Sequence, residues 1–235
     1  MNQLAAVQKT DLPEGFVYVH DVLHSARISP RYYMDDNFTG RQTPGYNAPV
    51  VIITEVVAER LKEAAAIVAK NGFDFVIYDG YRPQRAVDSW GVWANDLSDQ
   101  LMQETYYPRL DKRDVFGAGY LAKLSQHSRG AAIDLSLIKK ENAAKPSVPV
   151  KRTLTDGSIV THLDDGSVDM YTHFDLFDDA SHHDTLLIPA EYLQWRNYLR
   201  EVMVSVGFQP YKNEWWHYSV KDEPFPDTYF DFLVE

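Results

Sequence analysis

The segment SQHSRGAAID, residues 125–134, contains two side chains that could bind a metal ion. His127 and Asp134 lie seven residues apart, and Gly130 between them permits a tight turn after which a strand can return the Asp beside the His. Imidazole nitrogen and carboxylate oxygen are both accepted ligands of zinc. The alternative is a surface His and a strand Asp joined by a local hydrogen bond. The apolar run AAIDLSLI around Asp134 disfavours it, because a buried, unpaired carboxylate is costly.

A second segment, EWWHY at residues 214–218, offers a third ligand in His217. Glu214 precedes it by three residues, and in a regular strand such residues face opposite sides, so both reach one site only through a bulge, a twist or a strand end. The chemistry would need His217 on the metal and Glu214 off it, close enough to accept a proton from water. The alternative is a strand with two core tryptophans and a half-exposed His. Two His and one carboxylate leave a fourth position open, as in catalytic zinc sites.

A third segment, DGYRPQ at residues 79–84, follows a run predicted to be a buried strand. Arg82 would leave the end of that strand on a turn that Pro83 restricts. A guanidinium aimed at a developing oxyanion is a recognised catalytic device. Pairing of Arg82 with Asp79 to hold the loop is the alternative, and the two interpretations are compatible.

The remaining histidines have no spacing that favours function. His182 and His183 are adjacent, so their side chains point in different directions, and we interpret them as loop residues rather than ligands. Trp90 and Trp93 are interpreted as core residues at helical spacing.

Positioning these side chains requires helices and strands, and the pattern predicts both without regular βα alternation. We therefore expect an α+β fold in a single domain over residues 1–235, with a central antiparallel sheet flanked by helices. A polar surface insertion is expected at about residues 139–168, with a hairpin over 154–168. The predicted helices are Glu55–Lys70, Gln84–Asn95 and one beginning near Pro189, and the predicted strands are Phe73–Tyr78, Ala132–Ile138 and Glu214–Val220.

Composition excludes several classes of protein. The 235 residues include no cysteine, which excludes disulfides, iron–sulfur clusters, thiolate nucleophiles and Cys-bound zinc. A formal net charge of −11 argues against non-specific binding to nucleic acid or to an anionic membrane. No apolar run approaches the ~20 residues needed to span a bilayer. The N-terminal sequence MNQLAAVQKT lacks the basic region of a signal peptide, so we expect a cytoplasmic protein.

Together, the three segments resemble the zinc D-alanyl-D-alanine dipeptidases of the VanX type. The motif S-x-H-x-x-G-x-A-x-D occurs at residues 125–134 and E-x-x-H at residues 214–217. The resemblance extends to YYMDDNFTGR, DGYRP, FDLFDDASHH and the tail DEPFPDTYFDF, and so covers most of the chain from Tyr32 to Phe232. Such a resemblance implies a hedgehog- and D,D-peptidase-like zinc site and hydrolysis of D-Ala-D-Ala to two D-alanines.

Residue by residue, the resemblance implies one Zn²⁺ per chain and a role for each matching side chain. Glu214 would be the general base for a metal-activated water, and Arg82 would stabilise the tetrahedral intermediate. The zinc ligands would be His127, Asp134 and His217. Ser125 would bind the substrate carboxylate, and Tyr32 and Asp175 would bind its amine. The last two roles suit a dipeptide substrate, because both of its charged ends must be recognised.

The chain departs from the family pattern between Ile138 and Asp169. This segment is longer than the resemblance implies, and Tyr171 stands where a small residue is expected. The insertion could form a lid or a contact in a homo-oligomer. Two other functions fit the same residues: a D,D-carboxypeptidase or peptidase acting on peptidoglycan stem peptides, and a non-catalytic zinc-binding module, which the presence of Glu214 and Arg82 disfavours.

Overall fold

A computed structural model describes residues 12–235. The N-terminal segment on which the signal-peptide prediction depends lies outside the described residues. Among the described residues, no helix combines the length and the apolar character needed to cross a membrane.

Nine strands and five α-helices are found in the described part of the chain. In chain order they are β1 (Phe16–Tyr18), α1 (Val19–Val22), β2 (Arg27–Ile28), β3 (Ile52–Thr54), α2 (Glu55–Lys70), β4 (Phe73–Asp79), α3 (Gln84–Asn95), α4 (Gln103–Tyr106), β5 (Ala132–Lys139), β6 (Val148–Thr153), β7 (Ile159–Asp164), α5 (Ala190–Ser205), β8 (Phe208–Pro210) and β9 (His217–Val220). Short 3₁₀ turns cover Lys112–Asp114, His127–Arg129 and Asp179–Ser181.

A five-stranded sheet in the order β2-β4-β5-β9-β8 forms the centre of the fold. The predicted α+β fold with a central sheet is confirmed, and the sheet is antiparallel except for the parallel pair β2–β4 at one edge. All seven residues of β4 are buried, as are the first seven of β5, because these strands are covered on both faces. The helices α2 and α5 contact each other, and they pack against β4 and β8 respectively.

Local patterning predicts several elements with the observed bounds. The apolar stripe of α2 ends at Lys70, and Gly72 then adopts a positive φ of 84°. The helix α3 begins after Pro83, as predicted. The predicted strand over Glu214–Val220 is wrong at its start, because β9 begins only at His217. Two successive turns precede it, in which Glu214 N donates to Tyr211 O at 3.2 Å and His217 N donates to Glu214 O at 3.3 Å.

The polar excursion forms a separate antiparallel hairpin of β6 and β7. Val148 pairs with Asp164, and Thr153 pairs with Ile159 across the turn. The predicted hairpin over 154–168 is therefore displaced: its first strand precedes Leu154, and the Asp-Gly at 156–157 forms the turn rather than part of a strand. The inner strand β7 packs on α4, whereas β6 is largely exposed.

Candidate metal centre

Three possible ligands meet where the central strands approach one end of the sheet. Asp134 on β5 pairs in register with His217, the first residue of β9, and His127 lies in the 3₁₀ turn before β5. Their ligand atoms all lie within 4.8 Å of one another. His127 Nε2 is 3.1 Å from His217 Nδ1 and 3.3 Å from Asp134 Oδ2, and His217 Nδ1 is 3.0 Å from Asp134 Oδ1. The structure thus brings together the three residues that the sequence predicts as ligands.

The donor set fits a divalent cation such as zinc. His127 Nδ1 donates to the carbonyl oxygen of Gly80 at 2.7 Å, which leaves Nε2 without a proton and facing the other two ligands. Burial, followed by the charge of Arg82, lowers the pKa of His127, so the ring is neutral, as a ligand must be. Two imidazoles and one carboxylate form a three-ligand set of the kind that catalytic zinc sites use.

The turn at Gly130 explains how a short motif brings His127 and Asp134 together. Gly130 has a φ of 69°, in the left-handed region, and a Cβ there would lie 2.6 Å from the ring of Phe16 and 2.7 Å from Thr54 Cγ2. Thr54 Oγ1 also donates to the Gly130 carbonyl at 2.8 Å. Only glycine satisfies both the conformation and the close approach, so the chain reverses here and enters β5.

Arg82 forms the pair with Asp79 that the sequence left open, and it also lines the pocket. Its Nε donates to Asp79 Oδ2 at 2.9 Å, and its Nη2 lies 3.5 Å from Asp134 Oδ2 at the edge of the ligand cluster. The guanidinium stacks over the Trp90 ring at 4.6 Å and over the Tyr32 ring at 5.2 Å. Trp90, predicted only as a core residue, therefore also supports a cation that faces the pocket.

Glu214 lies in the turn before β9 and not within the strand, which resolves the problem of its three-residue spacing from His217. Glu214 Oε2 is 3.7 Å from His217 Nδ1, so the carboxylate lies beside the ligand cluster. Burial is the main cause of a pKa well above the usual range for this carboxyl, and the charges of Asp134 and Asp175 raise it further. A carboxyl with a raised pKa is suited to holding and releasing a proton.

Tyr32, Asp175 and Ser125 line the same pocket as the ligand cluster. Tyr32 Oη donates to Asp175 Oδ2 at 2.7 Å, and Asp175 has a φ of 64°, an unusual conformation for a residue other than glycine. Burial raises the pKa of Asp175 well above its usual range. Ser125 Oγ accepts from the backbone N–H of His127 at 3.2 Å. The extra length between Ile138 and Asp169 therefore does not displace Asp175 from the pocket.

Sequence reasoning missed the outer wall of the pocket. That wall is contributed mainly by the loop that precedes His127 and by one aromatic residue shortly before Glu214: Gly119, Tyr120, Leu121, Ala122, Leu124, Gln126 and Tyr211. Only the position of Tyr211 three residues before Glu214 offered a local signal. The pocket volume is about 200 Å³, below the ~300–1,000 Å³ of sites for drug-sized ligands, which favours a small substrate.

The two adjacent histidines do not join the metal cluster. His182 Nε2 lies 3.1 Å from Tyr120 Oη, and His183 is buried against Tyr218. Their interpretation as loop residues agrees with this placement.

Comparison with known proteins identifies relatives along almost the whole chain. The peptidase M15 family model described as D-ala-D-ala dipeptidase matches residues 13–146 and 142–235. A D-alanyl-D-alanine dipeptidase of Enterococcus faecalis is 39% identical over 95% of this chain and 100% of its own length. Proteins of the same name are 37% identical in Enterococcus faecium and 36% identical in Streptomyces coelicolor, over 94% and 93% of this chain and 98% of their own lengths. The chain therefore belongs to the D-Ala-D-Ala dipeptidase family of the M15 metallopeptidases and is a hydrolase.

Proposed function

We propose that the protein hydrolyses the free dipeptide D-Ala-D-Ala to two D-alanines in a zinc-dependent reaction. The observation that carries this proposal is the cluster of His127, Asp134 and His217 within 4.8 Å, with the Glu214 carboxylate beside it in a small pocket. The relatives named D-alanyl-D-alanine dipeptidase support the choice of substrate.

In this proposal the zinc ligands are His127, Asp134 and His217, with one Zn²⁺ per chain. Zinc bound there would lower the pKa of a water molecule towards ~7 and polarise the scissile carbonyl. Glu214 accepts the proton of the water that attacks the carbonyl carbon, and it then delivers that proton to the nitrogen of the leaving amine as the C–N bond breaks.

The remaining pocket residues bind and orient the dipeptide. Arg82, held by Asp79 and supported by Trp90, directs its guanidinium towards the oxyanion that develops on the carbonyl oxygen. Asp175 and Tyr32 receive the ammonium group of the substrate. Ser125 receives the substrate carboxylate. Its Oγ accepts from the backbone N–H of His127, so the hydroxyl hydrogen can be donated to a carboxylate oxygen.

The test of this proposal is D-alanine release by the zinc-loaded wild type and by Glu214→Gln. Removal of a general base lowers kcat by about 10²–10⁴-fold, whereas zinc content, measured by mass spectrometry, should stay at one per chain. Glu63→Gln on the exposed face of α2 is the matched control. Near-native activity of Glu214→Gln would refute the assigned base.

Three substrates run in parallel distinguish the alternative functions. Cleavage of D-Ala-D-Ala but not of L-Ala-L-Ala or of a pentapeptide ending in D-Ala-D-Ala supports the dipeptidase. Cleavage of the pentapeptide would instead identify a D,D-carboxypeptidase. Zinc binding without hydrolysis of any of the three would favour a non-catalytic zinc module.

A cytoplasmic location and a homo-oligomeric state remain predictions, as does the extent of the single domain over residues 1–235 with its insertion at 139–168. Size-exclusion chromatography with light scattering measures the oligomeric state, and deletion of the hairpin between Ser147 and Asp165 tests whether the domain folds without it.

A further inference from the structure

Arg196 on α5 is a fully buried guanidinium whose hydrogen bonds go to uncharged oxygen atoms. Its Nε and Nη2 donate to Met170 O at 3.0 and 2.8 Å, and Nη1 donates to the carbonyl oxygens of Ala180 and His182 at 2.9 Å each. Nη2 also donates to Thr172 Oγ1 at 3.0 Å. Burial lowers the pKa of Arg196 to about 9, so the side chain is still protonated at neutral pH. The guanidinium also lies over the Trp215 ring, 6.0 Å from its centroid. Burying this charge against neutral oxygens and one aromatic ring is costly for a residue with no purpose beyond packing.

The carbonyl groups that Arg196 binds belong to the two ends of one loop, residues 170–182. Asp175 lies within this loop, and both Tyr171 and Asp175 have positive φ values, of 70° and 64°. Such conformations in residues other than glycine persist only where the surrounding structure holds them. Arg196 therefore joins the two ends of the loop that carries Asp175.

The same group of atoms also holds the turn that carries Glu214. Trp215, the next residue, donates from Nε1 to Thr172 Oγ1 at 2.9 Å, and its backbone N–H donates to Ser181 O at 3.1 Å. Thr172 Oγ1 is therefore shared by Arg196 and Trp215, and it also lies 3.2 Å from Ser181 Oγ. The loop of Asp175 and the turn of Glu214 are bonded to each other behind the pocket.

We propose that Arg196 and Thr172 are positioning residues that fix the separation between Asp175 and Glu214 and thereby restrict substrates to those with a single residue before the scissile bond, as in a free dipeptide. The inference rests on the proposed function, in which Asp175 receives the substrate ammonium and Glu214 acts at the scissile bond. In a dipeptide the ammonium group and the scissile carbonyl belong to the same residue. Each residue added before the scissile bond increases the distance between these two groups by about 3.3–3.6 Å. A fixed distance between Asp175 and Glu214 excludes an N-terminally extended peptide, because its ammonium group cannot reach Asp175 while its scissile carbonyl lies beside Glu214.

Thr172→Val and Thr172→Ser form a matched pair that tests this inference. Valine keeps the volume of the side chain but removes the shared oxygen, whereas serine keeps the hydroxyl. We measure kcat and KM for D-Ala-D-Ala and for the N-terminally extended tripeptide Gly-D-Ala-D-Ala, whose cleavage at the second bond is followed by the formation of Gly-D-Ala. Valine leaves Trp215 Nε1 without its acceptor, whereas Arg196 Nη2 keeps its hydrogen bond to Met170 O. The preference for the dipeptide should therefore fall about tenfold in Thr172→Val, the factor that corresponds to one buried donor left unpaired, with a raised KM for the dipeptide. Serine should restore the preference. Arg196→Lys, with fewer donors, should show an intermediate preference.

Lys112→Met controls for simple destabilisation. Lys112 is also a buried cation that binds carbonyl groups, those of Asp96 and Asp99 at 2.9 and 2.6 Å, but it contacts neither the loop nor the turn. Its loss should lower the Tm and leave the dipeptide preference unchanged. An equal fall in preference in Lys112→Met would assign the effect of Thr172→Val to general loosening and overturn the inference.

Hydrogen exchange gives a second measurement that does not depend on activity. In Thr172→Val the backbone amides of residues 170–182 and of residues 214–217 should exchange faster together. Faster exchange in only one of the two segments would overturn the inference, as would an unchanged dipeptide preference in a folded, active variant. Neither result would affect the proposed function. A zinc-loaded wild type that releases no D-alanine would refute the proposed function, and the length restriction with it.

Discussion

Asp79 offers the sharpest test of how the fold prepares Arg82, because replacing it with asparagine removes a charge and little else. The Asp79 carboxylate is buried, with Oδ2 accepting from Arg82 Nε at 2.9 Å and Oδ1 accepting from Tyr46 Oη at 2.8 Å. Asparagine has the same shape, keeps one oxygen for Arg82 and can donate from its amide to the hydroxyl oxygen of Tyr46. The number of hydrogen bonds is preserved, so the variant isolates the ion pair.

The expected magnitude follows from the difference between a charged and a neutral hydrogen bond. A hydrogen bond between charged groups contributes about 1.5–3 kcal/mol and a neutral one about 1 kcal/mol, so the loss is about 0.5–2 kcal/mol. If that energy orients Arg82 in the transition state, kcat should fall about tenfold. Burial raises the pKa of Asp79 above its usual range, and the charge of Arg82 offsets only part of that rise. His127 Nδ1 donates to Gly80 O, so zinc content should not change.

The assay is D-alanine release from D-Ala-D-Ala, with zinc content and urea unfolding measured on the same preparations. Tyr46→Phe is the control, since it removes the hydrogen bond to the other oxygen and leaves the charge. It should lower the free energy of unfolding by about 1 kcal/mol and leave kcat within about twofold. A wild-type kcat in Asp79→Asn would show that Asp79 only holds the loop, and loss of zinc would show that it acts through His127.

Three further predictions test the turn, the buried histidine and the amine site. Gly130→Ala should lower the free energy of unfolding by about 2–4 kcal/mol, because of the left-handed φ and the clash with Phe16, and an unchanged urea midpoint would contradict the assigned turn. Burial lowers the pKa of His183 to about 3, below its unfolded value of about 6.5, so the unfolded state takes up the proton first as the pH falls. His183 alone should lower the free energy of unfolding by about 2 kcal/mol between pH 7 and pH 5. His183→Gln should not show this loss, and an equal loss in the variant and the wild type would refute the prediction. Asp175→Asn should raise KM for D-Ala-D-Ala about 10- to 100-fold with a smaller change in kcat. This rise in KM should exceed the rise in Tyr32→Phe, and a larger rise in Tyr32→Phe would make Tyr32 the main ammonium ligand.

Local patterns in the sequence determined the helices and the turn between His127 and Asp134. The apolar stripe of α2 and the proline before α3 predict both helices with their observed bounds, because helical periodicity and capping depend on neighbouring residues. The motif around Gly130 likewise predicts that His127 and Asp134 meet, because one glycine conformation reverses the chain between them. The family resemblance rests on the same short segments.

Tertiary structure decided how the distant segments combine. The turn that carries Glu214 is held by hydrogen bonds from Trp215 to Ser181 and Thr172. The Asp79 carboxylate, which binds Arg82 through one oxygen, binds through the other a tyrosine 33 residues away. The pairing of Asp134 with His217 spans 83 residues. No local periodicity encodes such contacts, because they form only when the sheet brings separate segments together and each buried polar group must find its partner there.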